Sequence, residues 1–500
     1  MCNLTSLFAV VSLLLSSSIN VSAQSISTNL DRYFQALHRD HEMNGNVAVS
    51  ENDTIIYHHS FGFKDFAAHK INDANSQFEL ASISKLFTAT AILQLKDKGL
   101  IDLDIPFQHY FPDFPYPTIT IRHLLSHTSG LPDIEVLVDS LIAKNPDKQF
   151  TIHDDLQNII IYAHGHALKF QPGAQWSYSS AGYHLLALLI EKISGQTLAA
   201  YTHDHIFQIA GMGHSYIQTA MSQKHDPDRT KNYQYSNHFE AKLQLMDTLS
   251  DWREWTYNLA LETGGSGVVS TSGDMLHFDA ALNAGRLLKH QTLEEAYTPY
   301  RLTNGQPAQP FDFTYCGLGW FILKDTLQGR IVWGSGSNPG AISFFARNLT
   351  RRRSLIVLHN IKSNPFDDLK ALDILNGKAV AYHASLAFIY AEDLYKDGPK
   401  YADAHLERLY PDTARYVLTE SEIDRAALEF RRVGLKGQAV ATCEMHVRIF
   451  PRSADAFRNY ALTLAEYGQT TMAIAAYKKA VELDPNDSES KDALKKLERD

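Results

Sequence analysis

Ser82 and Lys85 stand three residues apart in Glu79–Phe87, ELASISKLF, at the start of a stretch that reads as a helix. A serine hydroxyl is a weak nucleophile at neutral pH and needs a neighbouring group to take its proton. Residues three apart on a helix share a face, so Lys85 can reach the Ser82 hydroxyl if the helix begins near residue 82. The helix N-terminus adds unpaired backbone N–H groups beside the reacting oxygen. The run that follows is apolar at Leu86, Ala89, Leu93 and Leu95 and stops at Gly99, where a left-handed cap is expected. Spacing alone is not diagnostic. Ser488 and Lys491 repeat it in a polar tail, where a solvated helix surface accounts for it.

The elements that must hold such a pair lie between residues 24 and 365. Asn46–Ser50 and Thr54–His58 read as paired strands, and Arg330–Trp333, Ala341–Ala346 and Ser354–His359 as strands near the far end. Strands from both ends meeting in one sheet, with helices and long loops between, predict an α+β domain: an antiparallel sheet flanked by helices, with a helical insertion. Residues 366–418 read as a helical connector, and residues 419–500 as a separate all-α part.

That last part carries a repeat. Pro451 and Pro485 are 34 apart, as are Gly434 and Gly468, Ala439 and Ala473, and Val447 and Val481. The second copy places Tyr460, Gly468, Ala473, Tyr477, Ala480 and Pro485 as a tetratricopeptide repeat does, and resembles that family over about Thr419–Asp500. Two copies are fewer than a free-standing array needs, so docking on neighbouring helices is expected. Such repeats imply a possible protein partner.

Five hundred residues at 44% hydrophobic and 20% charged describe a globular chain with room for two or more domains. Lys+Arg 46 against Asp+Glu 56 gives 46 − 56 = −10, and apart from Arg351–Arg353 no basic run stands out, which argues against nucleic acid as a partner. Residues 1–23 read as a secretory signal. The apolar core is Leu7–Leu15 and Val21-Ser22-Ala23 fits a cleavage site, although no Lys or Arg precedes the core. That core is too short to span a bilayer, so no integral membrane span is expected after cleavage, and the protein would be periplasmic or secreted. An uncleaved anchor is the alternative. Cys2 leaves with the signal, and Cys316 and Cys443 are too far apart to imply a disulfide framework.

Three segments in order, ELASISKLFTATAILQL, TIRHLLSHTSGLPD (Thr120–Asp133) and FQPGAQWSYSSAGYHLLALLIEKISG (Phe170–Gly195), resemble the serine β-lactamase-related family. That family includes class C β-lactamases, D,D-carboxypeptidases, D-aminopeptidases and carboxylesterases. The likeness covers about residues 30–365. It implies that Tyr178 is the second catalytic group, with Ser180 where β-lactamases and peptidases usually carry asparagine. Tyr235-Ser236-Asn237 spells the Tyr-x-Asn pattern literally, but in a polar stretch that reads as an exposed loop. A phenol ordinarily titrates near 10, and a lysine ammonium beside it favours the phenolate or shares its proton. Lys85 and Tyr178 both remain candidates for the base.

The third element of the family, Lys-Thr-Gly or His-x-Gly, falls on Gly334-Ser335-Gly336 when Pro339-Gly340 is the anchor. Its cation, which in the family helps hold a substrate carboxylate, is replaced by Gly334. Trp333 lies one position from where several esterase members carry tryptophan. The resemblance places the oxyanion hole on the backbone N–H groups of Ser82 and Ser337, with Ser180, Gly334, Ser335 and Gly336 beside the substrate. Gly264–Gly267 lacks the Gly-Lys-Ser/Thr ending of a phosphate loop and reads as a tight turn near the site. His123 and His127, four apart, bring no further ligand set, so no metal and no cofactor are implied.

The expectation is therefore an exported serine hydrolase. It would cleave a small ester, amide or peptide through a Ser82 acyl-enzyme, as an esterase or peptidase ahead of a true β-lactamase or D,D-carboxypeptidase. A non-catalytic ligand-sensing protein with a repeat scaffold is the rival.

Overall fold

The computed structural model describes residues 25–133, 152–164, 166–218, 226–249, 264–324, 327–361, 365–378 and 380–498. The signal-like segment lies outside the described residues, as do parts of the stretch expected to be a helical insertion. The chain divides into two units, residues 1–234 with 245–380, and residues 235–244 with 381–500.

In the first unit, β1 (Gly45–Glu51) and β2 (Thr54–Phe61) form a hairpin. Short strands β3 (Phe78–Glu79), β4 (Tyr216–Ile217) and β5 (Val268–Ser270) make a separate small sheet, ordered β3-β5-β4. The remaining strands are β6 (Thr314–Cys316), β7 (Phe321–Leu323), β8 (Ile331–Asn338), β9 (Ala341–Asn348) and β10 (Arg353–His359). With β1 and β2 they build a seven-stranded antiparallel sheet, ordered β6-β7-β8-β9-β10-β1-β2. The N-terminal hairpin thus joins the C-terminal strands, with Gly45 opposite His359, as the apolar runs at both ends predict. All of β9 is buried, which suits AISFFARN, apolar over five of its first six positions, to a place inside the sheet.

Helix α1 (Ser84–Asp97) runs through the middle of the unit, buried from Ser84 to Leu95. A helix buried on nearly all sides is a core helix, and its Thr90 hydroxyl is satisfied within the helix by Leu86 O. Phe87 meets Phe278 and Phe207 at ring distances of 4.6 and 5.5 Å, and each such side chain contributes about 1.5–3 kcal/mol by leaving water. Gly99 takes φ 71 just past the helix, the cap expected from the sequence. Helices α2 (Ile121–Leu125) and α3 (Ser180–Ser194) complete the site side of this layer, and α4 (Ser272–Asn283) packs on the sheet through Phe278 and Phe345. Helix α5 (Pro365–Leu375) belongs to this unit and not to a connector beginning at residue 366. Its Asp368 carboxylate meets the buried His359 imidazole of β10 at 3.2 Å.

The second unit holds helices α6 (Leu386–Lys396), α7 (Pro399–Leu409), α8 (Glu420–Arg432), α9 (Lys436–Ile449), α10 (Ala454–Glu466), α11 (Thr470–Leu483) and α12 (Ser488–Leu497). Helix starts at 420, 454 and 488 are 34 apart, as are those at 436 and 470, so the sequence period is a period of helix pairs. Gly434 and Gly468 take φ 76 and 77 at the turn inside each pair, and Ala439, Ala473 and Ala480 are fully buried where helices pack closely.

Tyr235-Ser236-Asn237 is not an exposed loop. It belongs to the second unit, where the adjoining His238 stacks on Phe388 at 3.8 Å and bonds Glu429 through its backbone N–H and its ring. Phe239 is buried against Phe430 at 4.3 Å, and Asn237 is also buried. Local polarity suggested solvent because the partners lie some 150 to 190 residues downstream.

Candidate active site

Ser82 sits in a 3-10 turn, Ala81–Ile83, that leads directly into α1. Ala81 is held at φ 46, a left-handed conformation that a non-glycine residue rarely adopts and that recurs at functional sites. Two strands fix this turn. Leu80 donates its N–H to Val268 O of β5 at 2.8 Å, and Ser343 of β9 donates its hydroxyl to Leu80 O at 2.6 Å.

Lys85 follows on the first turn of α1 and is buried, 4% exposed. Its Nζ donates to Ser82 Oγ at 3.2 Å and to Gly265 O at 2.7 Å, and lies 5.0 Å from the centre of the Tyr178 ring. A buried ammonium is costly, so a carbonyl, a hydroxyl and an aromatic face around it mark a site with work to do. The glycine-rich turn acts here as a clamp, with Gly264 O accepting from Thr88 Oγ1 at 2.6 Å one turn further along α1.

Tyr178 arrives from the other layer. Its hydroxyl donates to Ser82 Oγ at 2.9 Å. The segment carrying it lies along the turn after α2, with Lys169 N–H on Gly130 O, Gly173 N–H on Thr128 O and Ser177 N–H on His127 O at 2.8 to 2.9 Å. A Cβ at Gly130 would stand 2.3 Å from Phe170 O, so the glycine of HTSG is what lets the two segments approach. Tyr183, a turn into α3, is held protonated by burial and donates to Leu125 O at 2.9 Å.

Strand β8 closes the site. Ser82, Lys85, Leu86, His127, Tyr178, Cys316, Gly319, Phe321, Gly334 and Ser335 line one cavity. Gly336 is pressed against the nucleophile's turn, since a Cβ there would lie 2.3 Å from Leu80 O and 2.8 Å from Ser82 N. Ser337 follows on the same strand with an exposed side chain. At Gly334 the nearest atoms a Cβ would meet are those of the Leu86 side chain, at 3.4 to 3.8 Å. Burial pushes the Cys316 thiol up to about 12, so it forms a neutral wall.

Two expected neighbours fall elsewhere. Ser180 is the first residue of α3, gives its N–H to Asp133 Oδ1 at 2.6 Å and does not line the cavity. Trp333 is buried, packs on Phe321 and Phe344 and donates to Thr314 Oγ1 at 3.2 Å. One position along a strand reverses the face, so Trp333 does not stand in for a residue at 334.

His127, in the sequence only one of two histidines four apart, is a cavity wall. His123 instead closes a capping box at the start of α2, exchanging hydrogen bonds with Thr120. Among the described residues no group of three or more His, Cys, Asp or Glu side chains is arranged to hold a metal.

A family model described as Beta-lactamase matches residues 30–377. The chain belongs to the beta-lactamase family. It is 34% identical over 334 residues to penicillin-binding protein 4* of Bacillus subtilis (strain 168), covering 66% of this chain and 71% of that one. Among solved structures, a penicillin binding protein from Bacillus halodurans aligns with TM-score 0.58 and 26% identity, over 68% of this chain and 99% of that one. The hydrolase EstCE1, which has promiscuous acyltransferase activity, aligns with TM-score 0.59 over 71% of this chain and all (100%) of that one, and at 19% identity shares the fold. This beta-lactamase family protein is thus a serine hydrolase by class, with an α+β domain of the β-lactamase and penicillin-binding-protein type. Among its described residues no helix is long and apolar enough to cross a membrane.

Proposed function

We propose that this protein hydrolyses uncharged esters or amides through an acyl-enzyme on Ser82. The observation that carries the reading is the convergence of Lys85 Nζ and Tyr178 OH on one oxygen, Ser82 Oγ, at 3.2 and 2.9 Å. With the Lys85–Tyr178 pair holding one proton fewer than an ammonium and a phenol together, Ser82 Oγ attacks the substrate carbonyl carbon while its proton passes to that pair. The negative charge that grows on the carbonyl oxygen is met by the backbone N–H groups of Ser82 and Ser337. Collapse breaks the carbonyl–heteroatom bond, and the departing alcohol or amine takes the proton back from the pair. Water then attacks the acyl carbon, gives up its proton along the same route and releases the acid with Ser82 restored.

The lining argues for a neutral substrate. Lys85 is its one cation among the described residues and is already engaged by Gly265, while Leu86, Phe321 and Cys316 present apolar surface. Gly334 offers nothing to a substrate carboxylate. Export through residues 1–23 and a protein partner for the helix pairs belong to the same reading and rest on the sequence.

The test pairs a chromogenic short-chain ester with a chromogenic cephalosporin, and adds a fluorophosphonate whose adduct is mapped by peptide mass. Ester turnover well ahead of cephalosporin turnover, with one phosphonate on Ser82, is the expected result. No turnover of either and no adduct would sink the reading.

Restoring the cation is expected to change the preference. Gly334→Lys has room for its Cβ beside Leu86, at 3.4 Å, and its ammonium should speed acylation by a fluorescent penicillin about 10-fold. An unchanged rate in a folded variant would show that the missing cation is not why β-lactams fit poorly.

A further inference from the structure

His127 is joined to Tyr178 from three directions. Its carbonyl accepts from Ser177 N–H at 2.9 Å, and its ring Nδ1 accepts from Ser179 N–H at 3.2 Å, so the N–H groups of the residues before and after Tyr178 are both tied to one residue. Its imidazole also stacks on the phenol ring, centroids 4.5 Å apart and planes 26° from parallel. Tyr183 and Trp176 hold the ring from other sides at 5.1 and 6.1 Å. The residue itself takes φ 56, a conformation in which histidine and asparagine are enriched among non-glycine residues.

From this geometry we infer that His127 is a positioning residue for the reaction, acting through its ring acceptor to hold the Tyr178 hydroxyl on Ser82 Oγ. The inference rests on the acyl-enzyme reading and adds a residue to it. Because Nδ1 receives the Ser179 N–H, the ring must keep that nitrogen unprotonated and carry its proton on Nε2. Burial and the nearby Lys85 ammonium pull its titration down to about 3, so the acceptor is preserved at neutral pH. A charged ring would lose the Ser179 bond and set a second cation beside Lys85. Tyr178 would then be free to swing about its backbone, and a displacement of about 1 Å at a reacting group can cost about 100-fold in rate.

Two substitutions separate the acceptor from the stack. His127→Asn places an amide oxygen near the position of Nδ1 and suits the left-handed backbone. His127→Phe keeps a flat ring but removes the acceptor. With a short-chain ester, His127→Phe is expected to lower kcat about 10- to 100-fold with KM within about 2-fold, while His127→Asn stays within about 3-fold of the parent. A purely structural role would not split kcat from KM, nor be rescued by the smaller, unstacked side chain. Should His127→Phe fail to fold, His127→Gln, whose amide overshoots Ser179, takes its place with the same expectation. Equal kcat in the parent and the acceptor-less variant would overturn the inference while leaving Ser82 chemistry intact, as would a loss in His127→Asn as deep as in His127→Phe. A parent protein that forms no Ser82 adduct would instead remove the acyl-enzyme reading and the His127 role together.

Discussion

Ser82→Ala is expected to lower turnover of a short-chain ester by at least about 1,000-fold, to the level of the uncatalysed control. Methyl in place of hydroxyl removes the atom on which Lys85 and Tyr178 converge. The Cys316 thiol is buried and firmly protonated, and the Tyr183 phenol is engaged by Leu125 O. Because nucleophile and base act as one unit, Lys85→Met should fall by a similar factor, and the double variant should fall no further than either single one. Thermal melting would confirm that each variant is folded, and Ser82→Ala should melt close to the parent since its hydroxyl bonds only Lys85 and Tyr178, and Lys85 keeps Gly265 O. Turnover that survives in Ser82→Ala would mean that the measured chemistry happens elsewhere.

Gly336→Ala is expected to be strongly damaging. Its Cβ would lie 2.3 Å from Leu80 O, 2.5 Å from Ser343 Oγ and 2.8 Å from Ser82 N, and two of these three atoms are backbone that cannot swing aside. Strand β8 must then retreat from the Ser82 turn, which parts the two N–H groups meant to receive the oxyanion. A shift of about 1 Å there should cost about 100-fold in kcat/KM, and the overpacking about 1–3 kcal/mol of stability. Gly334→Ala is the internal control. It lies two residues earlier on the same strand, has the Leu86 side chain as its nearest neighbour at 3.4 Å, and should retain activity within a few-fold. Equal behaviour of the two variants, measured by ester turnover and melting, would show that close approach to Ser82 is not what Gly336 provides.

Much of the site was legible because each part is encoded locally. Ser82 and Lys85 share one helix start, and Tyr178 follows a Pro-Gly turn and precedes an apolar helix. The pairing of the two ends of the domain was legible for a similar reason, since buried strands leave apolar runs. What stayed hidden depends on partners distant in sequence. The ring of His127 has its meaning from Ser179, about fifty residues on, although the joint presence of SHTSG and WSYSS was a signal that the two segments meet. Helix α5 reads as part of a connector because its ties to the first unit, Asp368 with His359, Asp373 with Gln328 and Leu375 O with Arg353, all reach residues outside the helix, earlier in the chain. Tyr235 looked solvent-exposed because its neighbours His238 and Phe239 find Glu429 and Phe430 only in the folded second unit. Trp333 shows the narrowest margin, where one residue along a strand decides between core and site.

The adjacency of β1 and β10 also sets the order in which the domain can be made. Gly45 pairs with His359, 359 − 45 = 314 positions later, so the sheet has no complete interior until nearly the whole first unit exists. Closing so long a loop must precede the contacts that reward it, which slows folding relative to chains built from local contacts. During synthesis the N-terminal hairpin waits with one edge of β1 open, a surface on which foreign strands can add. The same strand pair that completes the enzyme therefore governs how long the unfinished chain is exposed to aggregation.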